Sequence, residues 1–175
     1  MKTSKKDAYK ILNILGIHED QRVRLALAVD PHPVNNHKND SSFLQAACIN
    51  KDRLHHFQHG GLEYRGDGAS IHVTETNELT DCAKEVWKAE HINDCINDSS
   101  NLIPYQDHHP GGVKIIDLQL YGFYILFRFE GLYFNYRRIA AAGKDMKWAL
   151  HTPSGRLVGR SNTRKRFAVI SHYGP

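Results

Sequence analysis

The sequence predicts an α+β fold, with N-terminal helices packed on a mostly antiparallel C-terminal β-sheet and a short terminal helix. Three observations carry that expectation. Apolar residues near the N-terminus recur at helical spacing. From Val113 onward, β-branched and aromatic residues gather in short runs divided by glycine-containing turns. The length of 175 residues, 41% hydrophobic and 24% charged, suits one well-buried core. A single domain over 1–175 is therefore expected. An internal boundary would fall near 97–112, between a helical, acidic part (1–96) and a basic, β-rich part (113–175).

The elements follow in order. Ser4 with Asp7 suits a helix start, and Ala8, Ile11, Leu12 and Leu15 line one face before Gly16. This gives a helix over 4–15. Val23 to Val29 alternates as a strand would, but Glu19-Asp20 and the alanines favour a second helix. Residues 30–41 are rich in Pro, Asn and Asp and form a loop. A third helix starts at Ser42, with Phe43, Ala47, Leu54 and Phe57 on one stripe and Gly60-Gly61 as its stop. Leu62–Arg65 and Ser70–Thr74 read as a hairpin around Gly66-Asp67-Gly68-Ala69. A helix over 78–92 and a long polar connection to Gly112 come next. Three strands follow at Val113–Leu120, Phe123–Phe129 and Leu132–Arg138, then a pair at Lys147–Thr152 and Arg156–Gly159. Ser161 or Asn162 caps a final helix, Thr163 to His172.

Charge is distributed unevenly along the chain. Residues 137–175 hold nine Lys/Arg against one acid, Asp145, so the overall +4 conceals an acidic body of −4 and a basic end of +8. Clustered cations with aromatic neighbours favour a polyanion, nucleic acid above all. Strand alternation places Tyr124 and Arg128 on one face with Tyr133 and Arg137, a composition that stacks bases and holds phosphates. Arg156, Arg160, Arg164, Lys165 and Arg166 add cations around the predicted helix start. About five phosphate contacts would give a log K versus log salt slope near −4.5. An acidic protein partner is the alternative for the same patch. No zinc-finger spacing, RNP1-type motif or P-loop is present.

The twelve histidines are the second notable feature. His55 and His59 stand at i, i+4 of the third predicted helix and could share a zinc or manganese ion with His109 or Asp107. No other cofactor is expected. His72-Val73-Thr74 lies in a predicted strand that is followed by a helix. This resembles one half of the 2H phosphoesterase pattern, hydrophobic-His-x-Thr. The resemblance implies a phosphodiesterase or nuclease in which His72 and Thr74 act with a second histidine. His151 is the candidate, although its neighbouring hydroxyls, Thr152 and Ser154, do not match the spacing of a second motif.

Other classes are disfavoured. The most apolar stretch, Leu118 to Phe129, is interrupted by Gln119 and Arg128, so no membrane span is expected. The N-terminus lacks the apolar run of a signal peptide. Three cysteines without a Cys-x-x-Cys spacing point to a reducing, cytoplasmic setting. The leading expectation is a small nucleic-acid-binding accessory or regulatory protein.

Overall fold

Ser4 accepts a hydrogen bond from the Asp7 amide and starts α1 (Lys5–Ile14), which buries Tyr9 and Leu12. The ambiguous segment after it is helical: α2 (Glu19–Val29) carries Glu19 and Asp20 in its first turn and buries Val23 and Ala26. The two helices form a hairpin that packs on the sheet strand starting at Leu118. A computed structural model describes residues 4–77, 86–105 and 112–174.

The third helix differs from expectation. Asn39 caps α3 (Asp40–Ala46), which ends after seven residues. A 3-10 turn at Lys51–Arg53 then leads into a strand, β1 (His55–His59). Gly60 and Gly61, with φ of 59° and 78°, join β1 to β2 (Leu62–Gly66), and His59 pairs with Leu62. Both turn residues need positive φ, so the Gly-Gly dipeptide is a hairpin turn rather than a helix stop. The expected hairpin of β2 with β3 (Ser70–Glu75) is present.

The helix expected over 78–92 falls partly outside the described residues; α4 (Val86–Asn97) overlaps it and continues beyond. Within the polar connection, β4 (Leu102–Pro104) forms a short edge strand. The aromatic region folds into β5 (Leu118–Tyr121), β6 (Tyr124–Phe129) and β7 (Leu132–Asn135), a separate three-stranded antiparallel sheet. Its last predicted strand is shorter than expected. Asn135 accepts from the Arg137 amide and starts a helix, α5 (Tyr136–Ala142), whose alanines suit it.

After β8 (Met146–His151) and β9 (Arg156–Ser161), the expected terminal helix is instead a strand, β10 (Arg166–Ile170). It lies at the centre of a seven-stranded antiparallel sheet ordered β1-β2-β3-β10-β9-β8-β4. Ser161, at the end of β9, and Asn162 and Thr163, in the β9–β10 turn, resemble a helix cap. They wrap the Asp145 carboxylate, which accepts from both hydroxyls and from the Thr163 amide.

Each face of the large sheet has its own core. On one, Trp148, Leu150, Leu157, Ala168 and Ile170 meet Phe43, Ile139 and the inward residues of the small sheet, Phe127 and Phe134. Gly159 is required here, because a Cβ would lie 2.7 Å from the Trp148 ring. On the other face, Phe57, Tyr64, Val73, Val158 and Val169 lie under Ala89, Ile92, Cys95 and Ile96 of α4. Strands from both sides of 97–112 thus share one sheet in an α+β fold. Among the described residues, no helix is long and apolar enough to cross a membrane.

Candidate functional site

The β9–β10 turn places Arg164 and Lys165 at one end of the large sheet, both exposed. The loop after α5 brings Lys144 to the same end, and the segment before α3 brings His37 and Lys38. Together they border a cleft of about 500 Å³ lined by Asn35, His37, Lys38, Lys144, Arg164 and Arg166, among others. Asp145 is the acid in its wall. Burial pushes the Asp145 carboxyl up, but hydrogen bonds from Ser161 and Thr163 outweigh this and hold it below its ordinary range. Its Oδ2 is held by the loop, and at the cleft rim its single negative charge is outnumbered by Lys38, Lys144 and Arg164.

Round the edge of the sheet, Lys147 of β8 faces Arg160 of β9 across the ladder, and both are exposed. Like charges held opposite one another repel. Arg160 relieves part of this by lying 4.9 Å over the Phe167 ring and donating to the Ile96 carbonyl at the end of α4. Lys165 pairs with Glu75 at 3.0 Å, both side chains well exposed, a contact worth little in water. Arg166 behaves differently from its neighbours. It is 5% exposed, donates to Asp40 and to the His37 carbonyl, and stacks over Phe43, so it is a wall group rather than a free cation.

The expected tyrosine platform is only partly assembled. Arg128 and Tyr133 are direct cross-strand partners, and Tyr124, at 46% exposure, shares their outward face. Arg137 is not on that face: it lies on α5, beside Asp30 and His32 in a separate hollow. The chain after β10 crosses the platform, the Tyr173 amide donating to the Tyr133 carbonyl while its ring meets Tyr121 and Tyr124. The β8–β9 turn lies near this platform, with Gly155 close to Leu132 and His172. The basic cleft is at the other end of β9, roughly 17 Å away at ~3.3 Å per residue. The cations and the tyrosines therefore form two surfaces, not one.

The structure does not bring the proposed phosphodiesterase pair together. His72, on β3, is in register with Ala168, Gly159 and Trp148, on the face that carries Phe43. His151 lies three residues beyond Trp148, so it projects from the opposite face. Three strand spacings and three residues put them on the order of 17 Å apart. His72 is wholly enclosed, and Thr74 is 1% exposed with its hydroxyl lacking a hydrogen-bond partner. The metal expectation also changes. On a strand, His55 and His59 are about 13 Å apart, too far for one ion. His55 meets Lys88, and His56 pairs with Glu63 at 2.7 Å. His109 and Asp107 lie outside the described residues. Among the described residues, no group of three His, Cys, Asp or Glu could hold a metal.

His151 has other partners. Its Nδ1 lies 2.6 Å from Ser154 Oγ, and its Nε2 lies 2.9 Å from Asp98 Oδ2. The Cys95 thiol is 3.6 Å from the same hydroxyl, and Cys95 and Cys48 are buried free thiols. Arg156, the cross-strand partner of His151, stands on the same face. Sequence reasoning missed Asp98, which lies 53 positions from His151. It also missed Lys38, and counted Lys144 in the basic end without assigning it to the site. Comparison with protein-family models, curated proteins and solved structures gives no match.

Proposed function

We propose that the protein binds nucleic acid through the cationic end of its seven-stranded sheet, as an accessory or regulatory factor. The observation that carries this reading is the meeting of Lys38, Lys144 and Arg164 around a cleft in which they outnumber its one lining acid, Asp145. Arg160, Lys147 and Lys165 extend the positive surface around the sheet edge. A phosphate backbone suits this arrangement because it supplies repeated negative charge over a length that spans the cleft and the edge. It would also relieve the repulsion between Lys147 and Arg160. The cleft is about the size that holds a nucleotide-scale group. Tyr124, Tyr133 and Arg128 form a second surface that a strand leaving the cleft would have to travel to reach.

Electrophoretic mobility of random single- and double-stranded oligonucleotides tests the reading. Retardation at low salt that fades at higher salt is the expected result. Lys38→Ala with Lys144→Ala and Arg164→Ala should abolish most of it while leaving the circular dichroism spectrum unchanged. Absence of any shift at low salt overturns the reading. Capture of an acidic protein that survives nuclease treatment, without an oligonucleotide shift, would transfer the surface to a protein partner.

A further inference from the structure

We propose that Ser154 is a nucleophile for acyl transfer from carboxylic esters to water, activated by His151 and aligned through Asp98. The inference is independent of nucleic-acid binding and concerns the other end of β9. Three side chains from separate positions stand in series: hydroxyl to Nδ1 at 2.6 Å, Nε2 to carboxylate at 2.9 Å. This is the order of nucleophile, base and orienting acid that such chemistry requires.

With the His151 ring neutral, the hydrogen bonding assigns its proton. Asp98 also accepts from Asn101 and Ser100; Asn101 first and His151 second hold its carboxyl below the ordinary range. A carboxylate can only accept, so His151 Nε2 carries the ring proton. Nδ1 is then a lone pair aimed at Ser154. The Ser154 oxygen in turn accepts from the Arg156 amide at 3.3 Å and from the Cys95 thiol. Its single proton is thereby directed to the histidine, and the long contact from the Cys95 thiol, at 3.6 Å, is the one that yields a lone pair for attack.

The local fold explains the placement. The Gly155 amide donates to the His151 carbonyl and closes a turn in which Gly155 adopts φ of 68°. Pro153 is exposed at the tip, Ser154 is half-buried, and His151 is only 6% exposed. The base is shielded from water while the nucleophile is partly exposed.

In the reaction, Ser154 Oγ bonds to the ester carbonyl carbon as its proton passes to His151 Nδ1. The carbon–oxygen bond to the alcohol breaks, and the departing alkoxide takes that proton. Water then attacks the acyl-serine, giving its proton to the same nitrogen. The serine leaves with that proton and the carboxylic acid is released. Ser154 and His151 are the catalytic residues; Asp98 is a positioning residue.

The full-length chain is treated with an alkyl fluorophosphonate, whose phosphorus bonds to the serine oxygen as fluoride departs. Intact mass and peptide mapping are then read. The expected result is one adduct, on Ser154, absent in Ser154→Ala and forming roughly 100-fold more slowly in His151→Gln. Asp98→Asn slows labelling and Asp98→Glu restores it. No adduct on the native chain, an adduct elsewhere, or equal rates with and without His151 overturns the proposal. The native-chain mapping needs no substitution, so a variant that fails to fold does not remove the test.

Discussion

His72 is enclosed on every side, with Nδ1 donating to the Phe43 carbonyl at 2.6 Å and its ring stacked on Phe43 with centroids 4.4 Å apart. Burial lowers its pKa from 6.5 to about 4. The folded chain rejects a proton that the unfolded chain accepts. Stability is therefore full above about pH 6.5 and falls by roughly 3 kcal/mol as the pH drops to about 4. Urea unfolding at pH 7 and pH 5 should show about 2 kcal/mol of this loss, and His72→Leu should flatten it. Asp67 is a second residue whose role depends on enclosure. At 2% exposure it pairs with Arg138 at 2.7 Å and accepts from the amides of Asn50, Ala69 and Ser70. Arg138→Ala would strand that charge, at a cost of about 3–5 kcal/mol measurable by denaturant unfolding. The Asp67 side chain is accordingly turned inward from its turn. In the sequence, His72-Val73-Thr74 was legible as strand. Its burial depended on Phe43 and Ala168, 29 and 96 positions away, and so was not.

At the scale of elements, local pattern decided most assignments and failed where two patterns overlapped. The Ser4 cap, the helical hairpin and the β2–β3 hairpin were all legible, because cap, period and turn agree there. His55–His59 failed because Phe43, Ala47, Leu54 and Phe57 continue a helical stripe through Asn50 and Asp52. The opposing signal, Gly-Gly between two short runs, was present and marks a hairpin. The strand Arg166–Ile170 failed for a similar reason: a cap-like Ser-Asn-Thr outweighed Phe167, Val169 and Ile170, which favour β structure. The difference has a consequence for stability. A terminal helix could be removed with local damage, whereas β10 pairs with both β3 and β9. Deleting residues 166–175 should therefore abolish cooperative thermal unfolding. Retention of a sharp transition would show that the sheet closes without its central strand.

For the molecule as a whole, the separation of acidic body from basic end was legible, and so was the α+β class. The convergence of the charges was not, because Lys38 comes from before α3, Lys144 from after α5, and Arg164 from the last turn. Folding gathers these three, places Arg137 and Arg156 elsewhere, and ties Arg166 into the cleft wall. A quantitative consequence follows from the counterions displaced on binding a phosphate chain. About five contacts at the cationic end imply a slope of log K against log salt near −4.5, and each lysine or arginine removed reduces it by about 0.9. The most direct measurement is fluorescence anisotropy of a labelled oligonucleotide titrated at several salt concentrations. The native protein and the Lys38→Ala, Lys144→Ala, Arg164→Ala variant are to be compared. A steep slope for the native chain, shallower by about 2.7 in the variant, is the expected result. A native chain that does not bind at low salt, or a variant with an unchanged slope, would contradict a phosphate-holding cleft at that end of the sheet.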